Sequence, residues 1–202
     1  MNYLTPGRND RSGEMNKIHP QDRPVHDWYR FVLSFPPHLV REYLQRLGVS
    51  DGKRVLDPFC GTGTTLVECS KLGVSSVGVE ANPMAHFAAG VKVDWSPDPN
   101  GLLEHARIVA EKASAVLDSQ GIEDDPLFFV GQETGADLRT LPRDSASLLL
   151  ANSISPLPLH KALVLLDCLR EQSDERYQRH ELLALAKAIV YSSWETKRPT
   201  CA

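Results

Sequence analysis

Val55-Leu56-Asp57-Pro58-Phe59-Cys60-Gly61-Thr62-Gly63-Thr64-Thr65 is the run whose residue types and spacing could do chemistry. It reads as a short buried strand, a glycine-hinged turn and the first turn of a helix. Such a turn at the carboxyl end of a strand is where open α/β sheets bind ligands, and it suits an adenosine-bearing cofactor. A dinucleotide turn would carry a third glycine, and a phosphate cradle would carry Gly-Lys-Ser or Gly-Lys-Thr. Neither is present. Asp57 would repel a pyrophosphate but suits a cationic ligand, such as one bearing an amino group and a sulfonium. Gly61 and Gly63 permit positive φ and a close approach of ligand to backbone. Thr64 or Thr65 could cap the helix that follows, and Phe59 and Cys60 give the turn apolar bulk.

Glu80 completes the constellation. It ends a second apolar run, Ser75 to Val79, nineteen positions after Gly61. An acidic residue near that spacing accepts hydrogen bonds from a ribose. By itself Glu80 would be an ordinary solvated carboxylate; behind this turn and strand, ribose binding is the better reading.

The elements that must position these residues follow from the pattern. Strands are expected at 53–57, 75–80, 127–131 and 147–152. Asn82-Pro83 opens a helix. Trp28 to Leu47 reads as two helical pieces broken at Pro36-Pro37, with Leu39, Val40, Tyr43, Leu44 and Leu47 forming a core stripe. Phe35, ahead of those prolines, is expected near the cofactor. Ser96 to Gly101 is a turn cluster, and Leu102 to Leu117 an amphipathic helix expected to cover the sheet. Helices are expected at Leu159–Leu169 and Glu175–Tyr191. His86, His105, His160 and His180 all fall in expected helices and read as packed or surface residues.

With these residues in place, Asp57 to Thr65 resemble the cofactor motif of the S-adenosylmethionine-dependent amino-methyltransferases. These enzymes methylate the exocyclic amino group of cytosine (N4) or adenine (N6) in DNA. Val77 to Pro83 resembles the motif that follows, and His26 to Val40 the element that precedes the turn and holds the methionine end. Gly135 to Pro142 resembles the loop that brings a carboxylate, here Asp137, to the adenine amino group. The resemblance covers roughly residues 24–155. It implies an α/β fold: a Rossmann-like class I methyltransferase sheet with helices on both faces. It implies S-adenosylmethionine as cofactor and DNA as partner. Asp57, Pro58, Phe59, Gly61, Gly63, Glu80, Asp137 and Phe35 would then bind the cofactor.

The resemblance also implies a tetrapeptide of Asp, Asn or Ser, then Pro-Pro, then an aromatic, which binds the target amine and stacks on the flipped base. The chain instead reads Ser155-Pro156-Leu157-Pro158. Ser155 and Pro156 are the catalytic candidates, with Asn152 as a second choice. The serine favours cytosine. The degenerate motif and only four expected strands, where a full sheet has seven, imply a truncated enzyme or half of a split one. The C-terminal strands would be missing, and a second polypeptide could complete the fold. The expected organisation is a flexible tail over 1–22, a cofactor-binding domain over 23–158, and a helical segment of the same incomplete domain over 159–202. A non-catalytic remnant and a tRNA guanine amino-methyltransferase remain open as alternatives.

Composition bounds the class. Hydrophobic residues at 42% support a buried core. The four cysteines form no C-x-x-C pair, which points to free thiols in a reducing cytoplasm rather than a zinc site. No apolar stretch suits a membrane span. A net charge of −4 with dispersed basic residues does not advertise nucleic-acid binding. DNA is therefore implied by resemblance and not by charge.

Overall fold

The computed structural model describes residues 17–30, 34–50, 52–122, 137–147, 153–172 and 174–195. The chain forms two compact units, Met1–Trp95 and Ser96–Ala202.

The first unit is α/β. After a 3-10 turn at Pro20–Asp22 come α1 (Arg23–His26), α2 (Pro37–Arg46), β1 (Arg54–Asp57), α3 (Thr64–Lys71), β2 (Ser75–Gly78) and α4 (Pro83–Lys92). The strands pair in parallel, with Leu56 opposite Val77 and Asp57 opposite Gly78. Parallel neighbours need a crossover, and α3 supplies it. One face of this ribbon is covered: Val55 packs against Val40, Leu44, Cys69 and Val74. Alternation puts Leu56 and Val77 on the other face, where both are exposed. Among the described residues the sheet has two strands. The expected strand at 127–131 lies outside the described residues, as do residues 148–152 of the last one.

Several local expectations change. Among the described residues the helix expected from Trp28 is not seen: residues 27–29 form a turn and a bend, and a short helix precedes them at Arg23–His26. Proline at the second position of α1 presets its first turn. In α2 only part of the apolar stripe is core. Val40 and Leu44 are buried, while Tyr43 and Leu47 are exposed, and Tyr43 carries the Arg46 guanidinium over its ring. The tail expected over 1–22 gives way to ordered structure at Pro20, where Asp22 is already 3% exposed.

Gly78 sits where β2 passes behind the glycine turn. A Cβ there would stand 2.7 Å from Cys60 Sγ and 2.8 Å from Leu66 Cδ1. Leu66 can swing aside, but Cys60 is held in its turn. Gly78→Ala is expected to cost about 1–3 kcal/mol by overpacking. Urea denaturation should show a lower midpoint at unchanged slope; an unchanged midpoint would mean the turn yields.

The second unit is helical in its described residues. It comprises α5 (Pro99–Ser119), α6 (Arg143–Ala146), α7 (Pro156–Arg170) and α8 (Gln178–Glu195). Asp98 caps α5 by accepting from Gly101 N, so the expected turn cluster ends in the helix itself. Val109, Ala113 and Leu117 of α5 share a core with Val164, Cys168 and Leu169 of α7 and Leu185 of α8. Among the described residues, the apolar face of α5 packs on these helices. No helix among the described residues is long and apolar enough to cross a membrane.

Candidate cofactor site and its family

The glycine turn is built by backbone pairing that outruns the strands. Val79 N donates to Asp57 O at 2.9 Å, and Cys60 N donates to Val79 O at 3.1 Å. The Asp57 carboxylate accepts from Phe59 N at 3.1 Å, which fixes the turn's first corner. Gly61 has φ 54°, and a Cβ there would meet nothing within 4 Å. Open space therefore lies beside its backbone. Gly63, at φ 85°, differs. Its Cβ would stand 3.0 Å from Ala89 Cβ and 3.1 Å from Ala89 Cα. This glycine lets α4 approach the turn rather than leaving room beside it. It also occupies the N-cap of α3 in a left-handed conformation, with no side-chain cap. The expected threonine cap is thus replaced: Thr64 is the first helical residue and is buried.

Glu80 is tied to this turn. Its Oε2 accepts from Gly61 N at 2.9 Å and its Oε1 from Asn82 N at 2.7 Å. One carboxylate thus spans the turn after β1 and the start of α4. A carboxylate has about four acceptor positions, so two remain for a ligand. Asn82 in turn caps α4, accepting from Met84 N and Ala85 N. Phe59 stands at the edge of the turn, 87% exposed. Phe35 is also exposed, in the segment ahead of α2. The first unit therefore brings Asp57, Pro58, Phe59, Gly61, Gly63 and Glu80 together around one turn.

Asp137, Ser155 and Pro156 belong to the second unit. Asp137 is exposed in a segment without regular structure. Ser155 is the N-cap position of α7 and Pro156 its first helical residue. Leu157, which stands in for the second proline of the expected motif, packs against the helical core. Asn152 lies outside the described residues.

Burial, followed by the charges of Asp57 and Glu80, pushes the Cys60 thiol pKa up, which favours the thiol over the more nucleophilic thiolate. His160 is a packed residue, as its sequence context suggests. Its Nδ1 accepts from Arg139 N at 2.9 Å, its Nε2 lies 2.7 Å from Gln120 Oε1, and burial followed by the Arg139 charge lowers its pKa.

Two supports of the turn escape sequence reasoning. Lys92 is 1% exposed and donates from Nζ to Thr62 O at 3.2 Å, steadying the turn from behind. Glu68, on α3 below the turn, is fully buried. It takes hydrogen bonds from His26 Nε2 at 2.7 Å, Arg41 Nη1 at 2.5 Å and Lys71 Nζ at 2.8 Å. Arg41 also grips both Asp22 oxygens, at 2.9 Å and 3.0 Å. The partnership with Asp22, then Glu68, raises the Arg41 pKa against the cost of burial. This network ties α1, α2 and α3 together. Only the Glu68–Lys71 spacing was visible locally, since His26 and Glu68 are 42 positions apart.

His19, Asp22 and His38 bring metal-ligating atoms within 4.8 Å of one another. Both oxygens of Asp22 are already engaged by Arg41, and the two rings stack face to face at 4.5 Å. The cluster is better read as part of the packing around Arg41.

Residues 5–89 match the family described as DNA methylase, of the N6/N4 class. The similarity to this family is carried by this stretch of the chain, which contains Phe35 and the whole turn from Asp57 to Glu80. The type II methyltransferase M.BsoBI of Geobacillus stearothermophilus is 35% identical over 68 residues, covering 34% of this chain and 13% of that protein. The type II methyltransferase M.MjaII of Methanocaldococcus jannaschii is 38% identical over 69 residues, again 34% of this chain and 13% of the relative. A tRNA (guanine(10)-N2)-dimethyltransferase of Methanothermobacter thermautotrophicus is 40% identical over 65 residues, 32% of this chain and 18% of that protein. The match thus spans less than a fifth of each of these relatives. No solved structure matches the chain.

Proposed function

We propose that the chain binds S-adenosylmethionine at the Asp57–Gly63 turn and serves methyl transfer to an exocyclic amino group of DNA, cytosine N4 or adenine N6. The observation that carries this reading is Glu80, fastened to Gly61 N and Asn82 N with acceptor capacity to spare. That capacity suits the two hydroxyls of a ribose. Asp57 would attract the ammonium of the methionine end, the open side of Gly61 would admit the ligand, and Phe59 would offer its exposed ring. Phe35, Pro58 and Gly63 would complete this cofactor set. Asp137 would serve the adenine amino group, and Ser155 with Pro156 the target amine.

The cofactor would supply an electrophilic methyl group on a sulfonium. The target nitrogen's lone pair forms the new bond, the sulfur leaves as a thioether, and the amine loses its proton afterwards. No strong base is needed before attack; alignment and a field that favours the shifting charge suffice. A second polypeptide that completes the sheet is part of this proposal, and the exposed Leu56, Val77 and Val79 give it an apolar face to cover.

The tRNA relative favours a second reading, in which the substrate is a guanine amino group in RNA. The Ser155-Pro156-Leu157-Pro158 departure favours a third, a non-catalytic subunit. One experiment separates them. The chain is incubated with methyl-labelled S-adenosylmethionine and either duplex DNA or tRNA, and the nucleosides are analysed after digestion. The proposal expects label in N4-methylcytosine or N6-methyladenine from DNA. Label in tRNA alone would replace the substrate, and cofactor binding without label in either would favour the non-catalytic subunit.

A further inference from the structure

Lys92, the last residue of α4, is 1% exposed, and the chemistry proposed above gives its ammonium no part. Lysine is among the residue types least often buried. Taking its charge out of water costs stability, and an apolar side chain of similar volume is commonly neutral or better in such a place. Stability alone therefore does not call for lysine here.

The position of Nζ does. Ala85, Ala88, Ala89 and Lys92 are buried and spaced i, i+3, i+4, i+7, so they lie along one face of α4. On that face Ala89 crowds Gly63, where a Cβ would come within 3.0 Å of it. One turn further on, Lys92 Nζ donates to Thr62 O at 3.2 Å. Ahead of the helix, Glu80 Oε2 accepts from Gly61 N at 2.9 Å. Gly61, Thr62 and Gly63 are thus held in succession by the segment from Glu80 to Lys92. The Thr62–Gly63 peptide is the part of the turn most free to rotate. Its plane turns about ψ of Thr62 and φ of Gly63, and glycine tolerates either sign of φ. Gly63 N donates to Cys60 O at 2.8 Å, which fixes one side of this peptide. The Lys92 ammonium fixes the other.

We propose that Lys92 is a positioning residue for S-adenosylmethionine. Its ammonium holds the Thr62 carbonyl away from the ligand and keeps the open side of the turn, at Gly61, in its binding form. This rests on the cofactor reading above. A turn that spends only about a tenth of its time in the binding form loses about tenfold in apparent affinity.

The test is Lys92→Met in the full chain, with Val91→Ala as a control that loosens the same helix at a buried position. In the free protein, the Thr62 carbonyl-carbon and Gly63 amide resonances should move in Lys92→Met and stay in place in Val91→Ala. Calorimetry with S-adenosylmethionine should show about tenfold weaker binding by Lys92→Met and wild-type affinity in Val91→Ala. Urea midpoints should run the other way: kept or raised in Lys92→Met, lowered in Val91→Ala. A merely structural lysine would lose stability and affinity together. Lys92→Gln, too short to reach the carbonyl, serves with the same expectations if the methionine variant does not fold. Unmoved Thr62 and Gly63 resonances, undiminished affinity, or an equal loss in Val91→Ala would overturn the proposal. Absence of binding by the folded wild type would instead overturn the cofactor reading, while the resonances of the free protein still decide whether Lys92 sets the turn.

Discussion

Glu68→Ala should destabilise the chain by about 3–5 kcal/mol, the cost of breaking a buried ion network from one side. The size follows from what the carboxylate holds. It is fully buried and is the common acceptor of His26, Arg41 and Lys71. Removing it leaves the buried His26 imidazole without its partner and Arg41 with Asp22 alone, and it frees α1 from α3. Such a loss is a large share of the roughly 5–15 kcal/mol by which domains are stable. Glu68→Gln keeps the shape and should fall between wild type and alanine. Urea denaturation followed by circular dichroism measures all three, and equal midpoints would mean the network contributes nothing.

The same carboxylate predicts a pH dependence. Burial alone would push it up, but hydrogen bonds from His26, Lys71 and Arg41 outweigh burial and hold it at about 2, against an ordinary 4.5. A depressed carboxylate contributes its full stability above its unfolded-state value and loses it as the pH falls through the folded one. The wild-type urea midpoint should therefore drop between pH 4.5 and pH 2. In Glu68→Gln the drop over that window should be shallower.

The second large effect concerns the proposed ligand. On that reading, Glu80→Ala removes two charge-assisted hydrogen bonds to the ribose. Each is worth about 1.5–3 kcal/mol, so affinity for S-adenosylmethionine should fall roughly a hundredfold or more. The substitution also deprives Gly61 N and Asn82 N of their acceptor, which loosens the turn. Glu80→Gln retains acceptor oxygen but no charge, and should lose less than alanine. Calorimetry on the two variants reads both losses; affinity unchanged in Glu80→Ala would remove Glu80 from the site.

The turn was legible because its determinants are local. Strand, glycine and carboxylate follow in order along the chain, so β1 at Arg54–Asp57 and β2 at Ser75–Gly78 fall close to the ranges expected from β-branched runs. Asn82-Pro83 opens α4 as its cap chemistry dictates. What was not legible depended on distant partners. The approach of Ala89 to the backbone of Gly63 is one such feature. Leu47 matches the helical period of a core residue but is 75% exposed, since helical spacing names a face without saying how far its cover extends. The Asp22–Arg41–Glu68–His26 network joins three helices and has no signature in spacing. Leu157, which replaces the second proline of the expected tetrapeptide, helps fill a helical core.

Calorimetric titration of the purified wild-type chain with S-adenosylmethionine, with Asp57→Ala as the control, asks whether the Asp57–Glu80 turn is a working cofactor site. Saturable binding that Asp57→Ala weakens is the expected result. Absence of binding by wild-type chain that is folded by circular dichroism would contradict it.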